Sequence, residues 1–451
     1  MDIKARIEAS PMSNAQIGIV AICLAMNFID GYDVLVMAFS ATAIAESWGL
    51  SGGDLGLLLS AALAGMAIGA IFVAQIADKI GRRNTIILST AVITAGMFAS
   101  AFAPNYETLL ALRVVTGVAA GTMQTSLNVL VAEYSNARRR ATAVSLYSAG
   151  LPIGGVLGGI IVAALLTRFE WHAGFIFGGI ITFIMLPIVL KWLPESIDYL
   201  NAKRPEGALE KINSIFARLG QPALAALPAA PVTTGQPSNK LVAIFSNGQA
   251  LKTSLLAFAF MMIMGSFYFA NSWTPRLLTE SGYSANQGIT AGVLFSVGSI
   301  LGSIVFAYFG SRFDLKRTLA VFFVLAGAAF AVFALFANQL STALVLAGLL
   351  GVLSNATIAG MFSIGPVYYD ASIRATAVGL IGGIGRSGGI VSPIVAGALV
   401  DAGWVPGNIY FVFILPLVLG AVAIAVLRKP KSLSAPIEPA AAVAGQLAES
   451  R

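Results

Sequence analysis

Twelve apolar runs of about 20 residues each recur along the 451-residue chain, and no other feature narrows its fold as far. A helix of roughly that length crosses the hydrocarbon core of a bilayer. In that core only helices and closed barrels satisfy every backbone polar group. The runs fall near 16–40, 55–77, 84–103, 107–131, 141–166 and 172–193, then near 253–275, 286–310, 318–336, 340–368, 375–400 and 406–427. Hydrophobic residues make up 57% of the chain and charged ones 10%, too few charges to cover a soluble surface. The chain therefore reads as an all-α polytopic membrane protein. Its net charge of +7 does not point to nucleic acid, because the basic residues are scattered among short loops. The single cysteine, Cys23, excludes an intrachain disulfide and a cysteine-based metal site. The single histidine, His172, stands beside Glu170 and Trp171 in a loop and reads as solvated. No cleavable signal is expected, since the first run is long and further spans follow it.

Lysine and arginine set the expected orientation. With the N-terminus inside, 23 of the 27 basic residues fall on the cytoplasmic side, among them Lys79, Arg82 and Arg83, the run Arg138 to Arg140, and Arg374. Only Arg168 and Arg276 fall outside, and Arg113 and Arg386 lie within spans. Both termini are thus expected in the cytoplasm, and the chain in the inner or plasma membrane. A charged, then Ala- and Pro-rich stretch over 201–250 divides the chain and reads as a cytoplasmic linker, with a short amphipathic helix near Leu209–Leu219. It separates a six-span bundle in 1–200 from a second in 251–430, with a disordered tail over 431–451. The linker is too short for a catalytic domain, and no nucleophile–base pair, metal cluster or phosphate loop accompanies it. An enzyme or a sensor is therefore not expected, nor any cofactor.

The halves repeat each other. Arg140-Ala-Thr-Ala-Val144 recurs as Arg374-Ala-Thr-Ala-Val378, an offset of 234 residues, and the same register sets Gly154-Gly155 against Gly388-Gly389 and Pro152 against Arg386. Basic loops follow the second span of each half, Asp78 to Arg83 and Ser311 to Arg317. Parallel six-span repeats mark a rocking carrier with its site near the midplane.

At these residues the chain resembles the major facilitator superfamily over nearly its whole length. Asp78-Lys-Ile-Gly-Arg-Arg83 looks like that family's loop motif between helices 2 and 3, with Ala74 where the motif usually carries Gly. Arg113-Val-Val-Thr-Gly117 with Gly121 looks like the fourth-helix motif, and Gly150-Leu-Pro152-Ile-Gly154-Gly155 like the fifth-helix motif. More narrowly, Asp30-Gly-Tyr-Asp33, Trp273-Thr-Pro275 and Gly385-Arg386-Ser-Gly388 resemble the aromatic acid:proton symporter family. That resemblance implies the twelve-helix facilitator fold. It also implies proton-coupled uptake of a small aromatic carboxylate, of the hydroxybenzoate or benzoate type, through the first-helix aspartates and the eleventh-helix arginine. Symport of another organic acid, or proton-driven efflux, is the alternative.

The residues themselves support such chemistry. Asp30 and Asp33 lie three apart in an apolar run, so they share a helix face. Ionisable groups within a span cost about 2.5–3.5 kcal/mol each on insertion scales and default to function. They are the expected proton carriers. Arg386 lies midway along the eleventh span among Gly382, Gly383, Gly385 and Gly388. Its planar guanidinium can hold a carboxylate in bidentate fashion. Arg113 either shares that work or pairs with Asp30 or Asp33. Gly117, Ala120, Gln124 and Asn128 follow Arg113 at helical spacing and read as a small, polar stripe lining a water-filled cavity. Tyr32, Tyr268 and Asn271 join Gln124 as expected substrate contacts, with Phe267 a further ring. Trp273 fits an interfacial aromatic belt. At the cytoplasmic ends, Glu133 with Arg140 and Asp370 with Arg374 read as gate ion pairs. Asp78, beside Arg82 and Arg83, is expected to meet the N-terminus of the eleventh span. A lipid bilayer, protons and the acid are the expected partners, the chain acting as a monomer.

Overall fold

The computed structural model describes residues 6–7, 10–227, 244–245, 249–337, 339–369 and 371–427. These residues are all-helical, with twelve helices among them long and apolar enough to cross a membrane. Spans 1 to 6 are Asn14–Trp48, Gly52–Ile80, Arg82–Ala101, Tyr106–Glu133, Arg140–Leu166 and His172–Trp192. Spans 7 to 12 are Ala250–Glu280, Ala285–Arg312, Leu315–Phe336, Leu340–Tyr368, Ala371–Asp401 and Pro406–Val426. Most run beyond the apolar stretches because polar caps sit just outside them. Ser13, Ser51 and Ser284 each close a capping box with Gln16, Asp54 and Gln287, satisfying otherwise orphaned backbone N–H groups.

Two shorter helices follow span 6, Ile197–Lys203 and Ala208–Leu219. The second is the expected amphipathic helix, with Ala208, Ile212, Ile215, Phe216 and Leu219 on its buried face. The rest of the expected linker, and the tail from 428 onward with its Arg428, Lys429, Lys431 and Arg451, lie outside the described residues.

The repeat read from the sequence reappears as packing. In the first half, a Cβ on Gly154 of span 5 would run into the Phe28 carbonyl of span 1. In the second, a Cβ on Gly388 of span 11 would run into the Met261 carbonyl of span 7. Small residues let these backbones approach closely, which is how helices associate without a hydrophobic drive between them.

The face bearing Lys79, Arg82, Arg83 and Arg138 to Arg140 is here termed the basic face. The bundles meet away from it. Ser60 of span 2 donates to the Ile390 carbonyl of span 11 at 2.7 Å. Phe39 of span 1 fills the space beside Gly159 of span 5 and Gly292 of span 8. At the rim, the Asp401 carboxylate ending span 11 accepts from the backbone N–H groups of Gly52 and Gly53, at 2.6 and 2.7 Å, where span 2 begins. A carboxylate is disfavoured at its own helix's C-terminus and favoured at another's N-terminus, so this contact resolves one charge with another helix's dipole. Toward the basic face, a Cβ on Gly379 or Gly383 of span 11 would meet nothing within 4 Å among the described residues.

Asp401→Ala should therefore loosen the closed end selectively. In a Cys23→Ser background, a cysteine at Ser60 should be labelled several-fold faster by an impermeant reagent applied from the Asp401 side, since each charge-assisted hydrogen bond contributes about 1.5–3 kcal/mol at most. Unchanged labelling would mean that apolar packing alone holds that end shut.

Candidate functional site

Span 1 carries Asp30 and Asp33 on neighbouring lines, and the surrounding helices treat them differently. Asp33 is 3% exposed and meets Arg113 of span 4, whose Nη1 donates to Oδ1 at 2.9 Å. Arg113 is wholly buried, gives Nη2 to Ser100 Oγ at 2.9 Å and lies 5.0 Å from the Phe175 ring centre. Arg113 is thus paired with Asp33 and wholly buried, its Nε without a hydrogen-bond partner among the described residues.

Asp30 is 2% exposed and has no basic partner within 4.0 Å among the described residues. Its Oδ2 accepts a 3.4 Å hydrogen bond from Gln124 Nε2, and its buried Oδ1 has no partner among the described residues. Gln124 Oε1 in turn accepts from Arg386 Nη2 at 3.4 Å. Arg386 is half-buried, and that bond is its only one among the described residues. A buried carboxylate, an amide and a guanidinium thus form one chain from span 1 through span 4 to span 11, crossing between the halves. Gly383 and Gly379 stand three and seven residues before Arg386, on the same helix face and toward the basic face. A Cβ on either would meet nothing within 4 Å among the described residues.

Tyr268 of span 7 is half-buried, lies over Gly389 of span 11 and packs its ring against Phe267 at 5.4 Å. It is within Coulomb range of both Asp30 and Arg386. Asn271, 8% exposed, follows one turn toward the closed end.

Several expectations need correction. Tyr32 is 1% exposed and donates its hydroxyl to the Gly174 carbonyl at 2.6 Å, with its ring against Gly158 and Gly178. It locks span 1 to spans 5 and 6 and offers nothing to a substrate. The stripe on span 4 does not line a cavity throughout. Gly117 packs on the Ala62 carbonyl of span 2 and Ala120 is buried, so below Arg113 only Gln124 and Asn128 retain exposure. Trp273 is fully buried, its Nε1 without a partner among the described residues, so it belongs to the core of span 7 rather than to an interfacial belt. His172 opens span 6, stacked on Trp171 at 3.8 Å and 3.3 Å from Glu170.

The basic face is wired otherwise than the spacing suggested. Glu133 faces Arg82 at 3.9 Å and accepts from Ser196 at 2.9 Å, while Arg140 donates to the Ala132 carbonyl at 3.0 Å. Arg374 likewise donates to the Tyr369 carbonyl at 3.2 Å; Asp370 lies outside the described residues. Asp78 is 69% exposed and, among the described residues, meets Arg82 at 3.7 Å. Glu195, which the sequence did not single out, organises the corner. Span 3 starts after Gly81, at φ +97°, with no side-chain cap of its own. Glu195 Oε1 accepts from the backbone N–H groups of Arg82 and Arg83 in its place, at 2.8 and 3.0 Å. Arg83 closes the other end of the contact, donating to the Leu190 and Leu193 carbonyls that end span 6. Tyr134 donates to the Glu195 carbonyl at 2.6 Å, and burial pushes its phenol well above the usual tyrosine value, so it remains a donor. Ala74 begins a 3₁₀ turn after a π-turn over Gly69–Val73, so span 2 loses its regular ladder before reaching this corner.

Comparison with known proteins adds to this geometry. The model of the Major Facilitator Superfamily matches residues 20–364 and 256–449. The 4-hydroxybenzoate transporter PcaK of Pseudomonas aeruginosa is 33% identical over 436 residues, covering 94% of this chain and 95% of that one. The gallate transporter of Pseudomonas putida is 29% identical over 447 residues, covering 97% and 98%. Among solved structures, the xylose transporter XylE from E. coli, in a partially occluded inward open conformation, superposes with a TM-score of 0.70. It is 14% identical and covers 93% of this chain and 99% of that one, a likeness of fold alone.

Proposed function

The chain belongs to the major facilitator superfamily, and on that premise we propose that it takes up a small aromatic carboxylate together with a proton by alternating access. Relatives named for transport of 4-hydroxybenzoate and gallate, matched over nearly their full lengths, support the substrate class. The observation that carries the reading is the pair of ionisable groups that, among the described residues, are left without ion partners between the halves. Arg386 has a guanidinium to give to a carboxylate, and Asp30 has a carboxyl that can change protonation without breaking a salt bridge. Tyr268 and Asn271 border the place where the ring would lie.

In this reading residues 1–200 and 251–430 are the two rocking bundles, and the basic face is cytoplasmic, in the inner membrane. The arrangement described, shut at Asp401 and open along Gly379 and Gly383, is then the one that exchanges substrate with the cytoplasm. Asp78, with Arg82, Arg83, Glu133, Arg140 and Arg374, forms the inner gate, and Asp78 meets the N-terminus of span 11 when that gate closes. The chain acts as a monomer.

In proteoliposomes, adding 4-hydroxybenzoate outside should alkalinise the external medium, and a protonophore should abolish its accumulation. Full accumulation with the proton gradient collapsed, or strict dependence on sodium, would rule proton symport out.

A further inference from the structure

Gln124 stands between two groups of opposite charge, and both set the polarity of its amide. A carboxylate only accepts hydrogen bonds and a guanidinium only donates them. The observed orientation, Nε2 toward Asp30 and Oε1 toward Arg386, is the one that satisfies both. Its backbone is pinned separately, because Tyr147 Oη donates to the Gln124 carbonyl at 3.1 Å. The side chain is half-buried, so its amide can turn without unpacking the helix.

We propose that Gln124 is the coupling residue of the carrier: a half-turn of its amide ties the seating of a carboxylate on Arg386 to protonation of Asp30. This rests on the reading of Asp30 as proton carrier and Arg386 as anchor. A protonated Asp30 presents an O–H, which the amide oxygen accepts once turned. The turned amide then points its N–H groups toward Arg386. Against the bare guanidinium that sets donor against donor. Against a carboxylate seated on the guanidinium it makes one more charge-assisted hydrogen bond. The proton alone, or the acid alone, leaves the amide in its observed orientation, because a protonated carboxyl still accepts through its other oxygen and Arg386 still donates to the amide oxygen; only the two together let it turn and add that bond. That added bond favours the doubly loaded state over either half-loaded one by about tenfold, the worth of one hydrogen bond to a charged group.

The charges acting on Asp30 are Asp33 in its own span and Arg386 from span 11. Tyr147 of span 5 and Tyr268 of span 7 also face it. Arg113 of span 4 is taken up by Asp33. Of these groups Arg386 is the cation without a carboxylate partner among the described residues, so it is the one whose occupancy Asp30 can govern.

The test is the affinity of the purified full-length protein for 4-hydroxybenzoate, measured by calorimetry between roughly pH 5 and pH 8. The unaltered protein should bind more tightly as pH falls. Gln124→Leu, of similar volume without polar atoms, should still bind, but the ratio of its affinities across that range should shrink about tenfold. Gln124→Glu should weaken binding at the high-pH end at least tenfold, because its own carboxylate occupies Arg386. If Gln124→Leu does not fold, Gln124→Asn, too short to reach both partners, should show the same loss of pH dependence. A Leu or Asn variant that keeps the full pH dependence, even at lower affinity, overturns the coupling role and leaves the symport reading intact. Binding by the unaltered protein that ignores pH overturns the symport reading itself, and this inference with it.

Discussion

Arg386→Ala should abolish measurable carboxylate binding while leaving the melting temperature of the purified protein near that of the unaltered chain. The two halves of that expectation have separate causes. Arg386 holds no carboxylate within 4.0 Å among the described residues and makes one long hydrogen bond, to Gln124, so its removal orphans no ion. Removing one member of a buried pair is what destabilises, by about 3–5 kcal/mol, and no such pair is present here. Binding is another matter. A charged hydrogen bond contributes about 1.5–3 kcal/mol, and a bidentate guanidinium makes two. Arg386→Lys keeps the charge but loses the planar fork, so it should weaken 4-hydroxybenzoate by about 1.5–3 kcal/mol, or roughly ten- to a hundredfold. The uncharged 4-hydroxybenzamide should bind the unaltered protein poorly and hardly distinguish the variants. Calorimetry decides it. Should Arg386→Lys bind the acid as tightly as the unaltered protein, or the amide lose as much affinity as the acid, Arg386 is not the anchor. Arg113, the other intramembrane guanidinium, is wholly buried against Asp33.

How far the sequence carries is instructive at these residues. Asp30, Asp33, Arg113 and Arg386 stand out because a charge in an apolar run is costly and therefore visible. Their pairing does not stand out. Three residues of helix separate Asp30 and Asp33 by about 60° around the axis, and that rotation sends one to Arg113 and the other to Gln124. Only the seating of span 4 against span 1 decides which. Tyr32, between them, swings to the far side and is absorbed by Gly158, Gly174 and Gly178. The spans and the repeat were legible because hydrophobic length and spacing are local. Asp401 and Glu195 were not, because a carboxylate at a span end looks like any solvated cap until its partner is known. For Asp401 that partner is 349 residues away. Spacing suggested Arg140 for Glu133, yet the turn between them spends Arg140 on a backbone carbonyl and leaves Glu133 to Arg82.

The two aspartates should accordingly fail in different ways. Asp30→Asn mimics the protonated carboxyl: it keeps the shape and the ability to hydrogen-bond Gln124, and it cannot release a proton. It should lose accumulation of 4-hydroxybenzoate in proteoliposomes under a proton gradient while retaining exchange of internal for external acid, with a melting temperature close to that of the unaltered protein. Asp33→Asn strips the counter-charge from Arg113, a wholly buried cation whose remaining partners are Ser100 and the faces of Met97 and Phe175. That should cost about 3–5 kcal/mol of stability, read as a markedly lower melting temperature and a poor yield of folded protein. The companion Asp33→Asn/Arg113→Gln, which removes both charges, should recover much of the loss, because an uncharged pair leaves no buried ion to compensate. Two results would reverse the assignment. One is an Asp30→Asn protein that still concentrates the acid against its gradient. The other is an Asp33→Asn protein that melts normally and exchanges but does not accumulate, which would make Asp33 the proton carrier and its bond to Arg113 the one that opens and closes with the proton.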